Sequence, residues 1–177
     1  MYNIMKTDNE LFLEFVNGNK KAFEIIMERY MKRAYYMAYG YLGDEELAMD
    51  ISQNAFMKVY KENKRFDNRF KFSTWFFTIL RNMCLNAIKK RKIHRECQLD
   101  KKLSVKNEVD LKIDMSEAIS RLNRKERELI KLKYYDGFSY EEISEMLEIP
   151  IGTVMSGMFY AKKHLKVVLT EMDNNGS

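Results

Sequence analysis

The chain has 177 residues, enough for one ordinary domain or two small ones, and its single proline, seven glycines and 46% hydrophobic residues argue against a β-sandwich, a collagen-like repeat or a disordered chain. The chain has only two cysteines and two histidines, and no uncharged run approaches the roughly 20 residues that span a bilayer. We therefore predict a cytoplasmic protein without disulfides, membrane insertion, metal or cofactor. The net charge is only +5, but residues 58–95 carry twelve lysines and arginines against two acids, and the remainder is acidic.

Capping signals and apolar periodicity predict four helices within residues 1–95. The first begins at the capping-box sequence Thr7–Glu10, where the threonine can accept from first-turn N–H groups. The apolar stripes of the four helices are Leu11–Val16, Phe23–Tyr41, Leu47–Val59 and Phe76–Ile88. Four helices with short connections can enclose one small core, so we predict a first domain over residues 1–95.

Residues 62–72 have no clean period and are predicted to form a loop between the third and fourth helices. Ser73 or Thr74 is predicted to cap the fourth helix, which ends in the basic run 89–92. This loop and helix together hold most of the concentrated positive charge.

The same segment interleaves aromatic rings with cations, a pattern with which proteins stack single-stranded bases while following the nucleic-acid backbone. Phe76 and Phe77 fit a helical stripe and are predicted to be core residues. Phe66 and Phe70 lie among charges, and the pattern leaves both burial and base stacking open for them.

Residues 96–112 are polar and are predicted to form an interdomain linker, followed by a second helical block over residues 113–172. Capping boxes at Asn123–Glu126 and Ser139–Glu142 start two of its helices, and Thr153 is predicted to open the last one. A short helix, a tight turn and a longer helix form a helix-turn-helix pattern here.

In a helix-turn-helix the second helix enters the major groove, its early residues contact bases and its later cations contact phosphates. The base-reading candidates are Thr153, Met155, Ser156, Phe159 and Tyr160, and the phosphate-binding candidates are Lys162, Lys163 and Lys166. A plain helical hairpin with a solvated basic face fits the same spacing, and the residues alone leave the two alternatives open.

The third helix presents Asp50, Gln53 and Asn54 together on its outer surface. A polar face of this kind is normally only solvated, so its chemistry alone does not require a partner. The chain has neither a glycine-rich phosphate loop nor a recognisable Ser/His/Asp or Cys/His arrangement, and no catalytic site is predicted.

These features, in this order, resemble the sigma-70 family of bacterial RNA polymerase specificity factors, in the compact extracytoplasmic-function (ECF) type that keeps only the second and fourth conserved regions. In the first block the resembling segments are Asn19–Phe23, Arg29–Tyr30, Ala48–Phe56, Phe72–Phe76 and Ile79–Asn82. In the second block they are Leu122–Glu128, Asp136–Ser144 and Ile149–Ser156. The resemblance covers nearly the whole chain.

The resemblance implies an all-α fold of two small helical domains, a region 2 bundle over residues 1–95 and a region 4 helix-turn-helix over residues 113–172, joined by the linker 96–112. It implies a sigma factor that binds core RNA polymerase and directs promoter-specific transcription initiation by recognising −35 and −10 elements and melting the DNA. The chain itself is then not an enzyme, because the polymerisation chemistry belongs to the core. A further partner that it implies is an anti-sigma factor.

The resemblance also implies roles for particular residues. Contact with the β′ clamp helices of the core is implied for Asp50, Gln53 and Asn54, and the β flap is a second implied docking point. Recognition and melting of the −10 element is implied for Arg65, Phe66, Phe70, Phe72, Trp75, Arg81, Asn82, Asn86, Lys89, Lys90 and Arg91. Recognition of the −35 element is implied for Ser139, Thr153, Met155, Ser156, Phe159, Tyr160, Lys162, Lys163 and Lys166.

The chain departs from the family pattern at Met155, Gly157 and Tyr160, where cations are usual, and at Asn54 and Asn86, where acids are common. Arginine bidentate to guanine is the commonest specific base contact. We therefore expect weaker phosphate binding, or a −35 element shifted toward thymine-methyl and adenine contacts.

Two rival functions fit part of the sequence. A DNA-binding regulator that acts without polymerase would need only the second block and would leave residues 44–92 unexplained. A non-specific RNA- or single-strand-binding protein would use residues 58–95 and would bind with a steep salt dependence.

Overall fold

The computed structural model describes residues 6–97 and 115–175, which are helical apart from short connections. The chain divides into two compact units, Met1–Leu99 and Asp100–Ser177. The prediction of an all-α protein with two small helical domains is confirmed. Most of the predicted linker 96–112 lies outside the described residues, although its first two positions belong to the last helix of the first unit.

Residues 6–97, the described part of the first unit, form four helices and one short 3-10 turn. The elements are α1 (Asp8–Val16), α2 (Lys20–Leu42), α3 (Glu45–Lys61), the 3-10 turn Asn63–Arg65 and α4 (Phe72–Cys97). Helices α3 and α4 pack against α2 and against each other, and α1 lies against α2 and α4. The N-terminal helix is therefore in direct contact with the helix that follows the basic loop.

Aromatic rings fill the centre of the first unit. The fully buried ones are Phe12, Phe56, Phe72, Phe76 and Phe77. The rings of Phe12 and Phe72 are 4.7 Å apart between centroids, and those of Phe56 and Phe76 are 4.5 Å apart. The predicted burial of Phe76 and Phe77 is confirmed, and each such ring contributes about 1.5–3 kcal/mol through burial.

The start of α4 differs from the prediction, because neither Ser73 nor Thr74 precedes the helix and both lie within its first turn. The N–H of Phe72, the first helical residue, donates to Oδ1 of Asn9 on α1 at 2.8 Å. The helix end is satisfied by a side chain 63 positions earlier, which a local capping pattern cannot reveal.

The second unit consists of α5 (Met115–Ser120), α6 (Arg124–Ile130), a π-helical turn (Lys131–Tyr135), α7 (Tyr140–Leu147) and α8 (Ile151–Asn175). Helices α5, α6 and α7 each pack against α8. The capping boxes predicted for α6 and α7 are both present.

Helix α8 begins at Ile151, two residues before the predicted start at Thr153, and extends to Asn175. The carbonyl of Pro150 accepts from the N–H groups of Thr153 and Val154 at 2.8 and 3.2 Å, which places the first helical turn earlier. The turn before it begins at Glu148, the C-cap of α7, whose backbone lies in the left-handed region at φ 54°. Together α7, this turn and α8 form the helix-turn-helix unit.

Candidate nucleic-acid and polymerase interface

The loop between α3 and α4 carries the most exposed aromatic ring of the first unit's basic segment. Phe70 is 47% exposed, whereas Phe66 and Trp75 are half-buried and lie 5.3 Å apart between ring centroids. Phe66 also meets Phe12 edge-on at 5.1 Å. Three rings therefore lie at the surface near the start of α4, and two of them are held by the core.

The expectation for Phe72 is corrected by its position. Its ring is fully buried and packs on Phe12 and Phe76, so it has no face to offer to a base. It supports the loop from beneath. In sequence Phe72 and Phe70 look alike, and only the packing of α1 on α4 separates them.

A polar and basic track runs along the C-terminal half of α4. Asn82, Asn86 and Lys89 are spaced four and three residues apart and share one exposed face, with Lys90 at its edge. Arg81, half-buried beside this face, donates to Oδ1 of Asn82 at 3.2 Å. This face provides cations and amides, the kinds of group that can follow a nucleic-acid backbone.

Two of the predicted cations already have acidic neighbours. Arg65 lies 3.0 Å from Glu62 within the 3-10 region, and Arg91 lies 2.5 Å from Asp44 at the start of α3. Both pairs are largely exposed, so each contributes little to stability and both guanidinium groups remain accessible.

The outer face of α3 brings together Asp50, Gln53 and Asn54, all exposed as the pattern predicts. The structure adds Met57 to this face, 55% exposed and four residues after Gln53. The sequence reasoning overlooked it because methionine is a common core residue. Its helical phase relative to Asp50 would have indicated an outward position.

The first turns of α8 expose the predicted base-reading residues while an apolar stripe holds the helix in place. Val154, Met158 and Ala161 are buried. The exposed residues are Thr153, Met155, Ser156, Phe159, Tyr160, Lys162, Lys163 and Lys166. A helix exposed in this way at the end of a helix-turn-helix can enter a major groove.

Tyr134 in the π-helical turn is a neighbour of this surface that the sequence did not suggest. The ammonium of Lys162 lies 5.5 Å from the centroid of its ring, and a hydrogen bond to the Tyr134 hydroxyl raises the pKa of Lys162. Lys162 is thereby oriented as well as charged.

Two predicted positions have local structural roles. Ser139 is the N-cap of α7, and its hydroxyl oxygen accepts from the N–H of Glu142 at 3.2 Å. A Cβ on Gly157 would lie 2.7 Å from Cδ1 of Leu129, so this position faces α6 and not the outer surface of α8. The close packing of α8 on α6 therefore explains why glycine, and not a cation, occupies position 157.

A basic helical unit with surface rings and a separate helix-turn-helix unit define a nucleic-acid-binding protein of two parts. The family model for sigma-70 region 2 matches residues 26–93, and the model for sigma-70 region 4 matches residues 112–165. This chain belongs to the sigma-70 family and is a factor of the ECF type. It directs promoter-specific transcription, and its partners are core RNA polymerase and promoter DNA.

Two curated relatives align over nearly their whole length. The ECF RNA polymerase sigma factor SigW of Bacillus subtilis (strain 168) is 31% identical over 173 residues, covering 88% of this chain and 92% of the relative. The ECF RNA polymerase sigma-E factor of Escherichia coli (strain K12) is 27% identical over 176 residues, covering 89% and 91%.

Solved structures share the fold. CnrH in complex with the cytosolic domain of CnrY matches with a TM-score of 0.71 at 19% identity, covering 94% of this chain and 99% of that chain. The sigma factor RpoE of Bartonella quintana, in complex with the anti-sigma factor NepR, matches with a TM-score of 0.68 at 25% identity, covering 85% and 98%. In the described part of this chain no helix is long and apolar enough to cross a membrane.

Proposed function

We propose that this sigma factor uses three surfaces to start transcription. The outer face of α3 docks on the β′ clamp helices of core polymerase, the loop at residues 63–71 with α4 captures and opens the −10 element, and α8 reads the −35 element. The observation that carries the proposal is the exposed ring of Phe70 at the N-terminal end of α4, with a cationic track on the C-terminal half of the same helix, in a chain that also exposes a helix-turn-helix.

Capture of the −10 element needs both rings and cations. A base that leaves the duplex can stack on Phe70 or against the exposed edges of Phe66 and Trp75, while Lys89 and Lys90 follow the backbone. Each stacked base contributes about 1–3 kcal/mol, which offsets part of the cost of unpairing. Phe72 is excluded from this role by its burial.

The chemistry of α8 favours a −35 element rich in A·T pairs. Met155 and Phe159 offer apolar contacts that suit the methyl group of thymine. The sequence of α8 contains no arginine that could pair with guanine. Ser156 can donate to or accept from a base edge, and Lys163 and Lys166 can hold phosphates on later turns.

The α3 face combines polar and apolar groups. Met57 provides exposed apolar surface, and Asp50, Gln53 and Asn54 on the preceding turns provide hydrogen-bonding groups. Interfaces between proteins commonly contain both kinds of group. We place contact with the core at this face, and contact with the β flap in the second unit.

The remaining features follow from the family. The protein acts in the cytoplasm beside its polymerase and has no catalytic activity of its own. The structural relative RpoE was solved in complex with the anti-sigma factor NepR, and we propose that an anti-sigma factor also restrains this chain.

Run-off transcription with purified core polymerase tests the proposal. Templates carrying A·T-rich −35 elements should give promoter-specific transcripts only when this chain is added. A protein that binds duplex DNA without binding core would be a stand-alone regulator. Equal affinity for unrelated single strands, without any specific transcript, would instead support a non-specific single-strand binder.

A further inference from the structure

The side chain of Asn9 on α1 makes two hydrogen bonds to the proposed −10 loop and a third to the first residue of α4. Its Nδ2 donates to Oδ1 of Asn68 at 3.0 Å and to the carbonyl of Phe70 at 2.9 Å. Its Oδ1 accepts the N–H of Phe72 at 2.8 Å. One amide group thus holds the backbone on both sides of residue 71.

These contacts restrain the backbone that carries the exposed ring at the loop tip. The carbonyl of Phe70 and the N–H of Phe72 are both held by Asn9, so the chain between them has little freedom to rotate. On the other side of the ring, the N–H of Phe70 donates to the carbonyl of Asp67 at 3.0 Å. Phe70 lies between a local turn and an anchor on another helix.

Helix α1 is itself firmly held, which makes Asn9 an effective anchor. The carboxylate of the adjacent Asp8 accepts from the guanidinium of Arg29 at 2.7 Å and from the hydroxyl of Tyr30. Burial and the bond to Asp8 raise the pKa of Tyr30, so its hydroxyl keeps the proton that it donates. Phe12, one turn later, packs on the ring of Phe72.

From this geometry we infer that Asn9 is a positioning residue for strand capture, which holds the loop in the conformation that receives an unpaired base. The inference rests on the proposed role of the loop in −10 capture. A loop ordered before binding loses less conformational freedom when the base arrives, so affinity and the rate of opening both increase. Asn9 acts through Phe70 and does not itself touch DNA.

A double-mutant cycle in the holoenzyme tests this inference. Permanganate reactivity of −10 thymines on a transcribed duplex promoter would be compared for Asn9→Ala, Phe70→Ala and the double variant. We expect each single variant to reduce opening by roughly tenfold and the double variant to be no worse than Phe70→Ala, because both changes affect one ring. Binding to core polymerase should be unchanged in all three.

Two further variants separate positioning from folding. Asn9→Asp is isosteric and keeps the acceptor for the Phe72 N–H, but it places an oxygen against Phe70 and Asn68 in place of the donor. It should fold like the unsubstituted protein and still reduce opening. Asn19→Ala is the matched control, because within residues 6–97 the side chain of Asn19 donates to Glu14 on α1 and makes no hydrogen bond to the loop.

The outcomes are distinguishable. If Phe70→Ala impairs opening while Asn9→Ala and Asn9→Asp do not, or if the two effects multiply, the positioning role of Asn9 is wrong and the loop assignment survives. If Phe70→Ala leaves opening intact, the loop assignment fails and the role of Asn9 fails with it. A defect equal in Asn19→Ala and Asn9→Ala would also overturn the inference.

Discussion

Glu126 on α6 contacts His164 on α8, with Oε1 and Nδ1 only 2.5 Å apart. The other carboxylate oxygen of Glu126 accepts the N–H of Asn123 at 3.3 Å and so completes the capping box of α6. Glu126 is buried, whereas the side chain of His164 is half exposed. One carboxylate therefore completes the N-terminal cap of α6 and also contacts α8, the helix proposed to read DNA.

Replacing this histidine should destabilise the second unit. In His164→Ala, Oε1 of Glu126 would remain buried without its partner, at a cost of about 1–3 kcal/mol. Urea unfolding followed by hydrogen exchange of the α6 and α8 amides would measure the loss. Lys163→Ala, at the exposed neighbouring position, should change stability by less than about 0.5 kcal/mol. Equal stability of the two variants would contradict the role of the pair.

The first unit should lose stability in acid partly through Asp44. The N–H of Leu47, which donates to this N-cap carboxylate, and the guanidinium of Arg91 lower the pKa of Asp44 below its unfolded value of about 3.9. Its stabilising contribution is therefore complete above about pH 4 and is lost as the pH falls through the lower, folded pKa. Urea midpoints between pH 7 and pH 3 should follow this profile.

Asp44→Asn isolates the contribution of the charge, because asparagine keeps an acceptor for the Leu47 N–H but cannot pair with Arg91 as an anion. The acid slope should become shallower without vanishing, since hydrogen bonds from Thr7 and Arg69 also lower the pKa values of Glu10 and Asp67. Asp50→Asn, on the outer face of the same helix, is the control. A slope that is unchanged in Asp44→Asn would show that the carboxylate has no part in it.

Short-range chemistry made parts of this fold predictable. The boxes Thr7–Glu10, Asn123–Glu126 and Ser139–Glu142 each join residues three apart, so a sequence pattern contains both partners. The cap of α4 joins Asn9 to Phe72 across 63 positions and was missed for that reason. The burial of Phe72 could not be predicted from a local pattern either, because it depends on α1 packing against α4.

Alanine at Phe70 should affect promoter opening, whereas alanine at Phe72 should affect the stability of the first unit. Phe70→Ala removes an exposed ring and should leave stability within about 0.5 kcal/mol while reducing promoter opening. Phe72→Ala empties a fully buried site and should cost about 3–5 kcal/mol. Thermal unfolding and permanganate footprinting on the same preparations would separate the two effects. Strong destabilisation by Phe70→Ala would show that its ring is structural.

Two methionines of nearly equal exposure provide a matched test of the core-binding and DNA-reading surfaces. Met57 on α3 is 55% exposed and Met155 on α8 is 53% exposed. Met57→Ala should weaken binding to core polymerase by roughly tenfold, as expected when an exposed apolar side chain of an interface is truncated, and should leave −35 selectivity unchanged. Met155→Ala should change −35 selectivity and leave core affinity unchanged. Competition binding to core, together with transcription from −35 variants, would measure both.

Replacing one residue in the turn of the helix-turn-helix by glycine should increase the stability of the second unit. Glu148 ends α7 at φ 54° and ψ 42°, a left-handed conformation that costs an L-residue about 1–2 kcal/mol and that glycine adopts freely. Because glycine also increases the freedom of the unfolded chain, Glu148→Gly should stabilise the second unit by a net amount of up to about 1 kcal/mol. Glu148→Ala removes the same carboxylate but keeps a Cβ, so it should show no such gain. Urea unfolding of the full chain would compare the two variants, and a glycine variant less stable than the alanine variant would contradict the strain assigned to this residue.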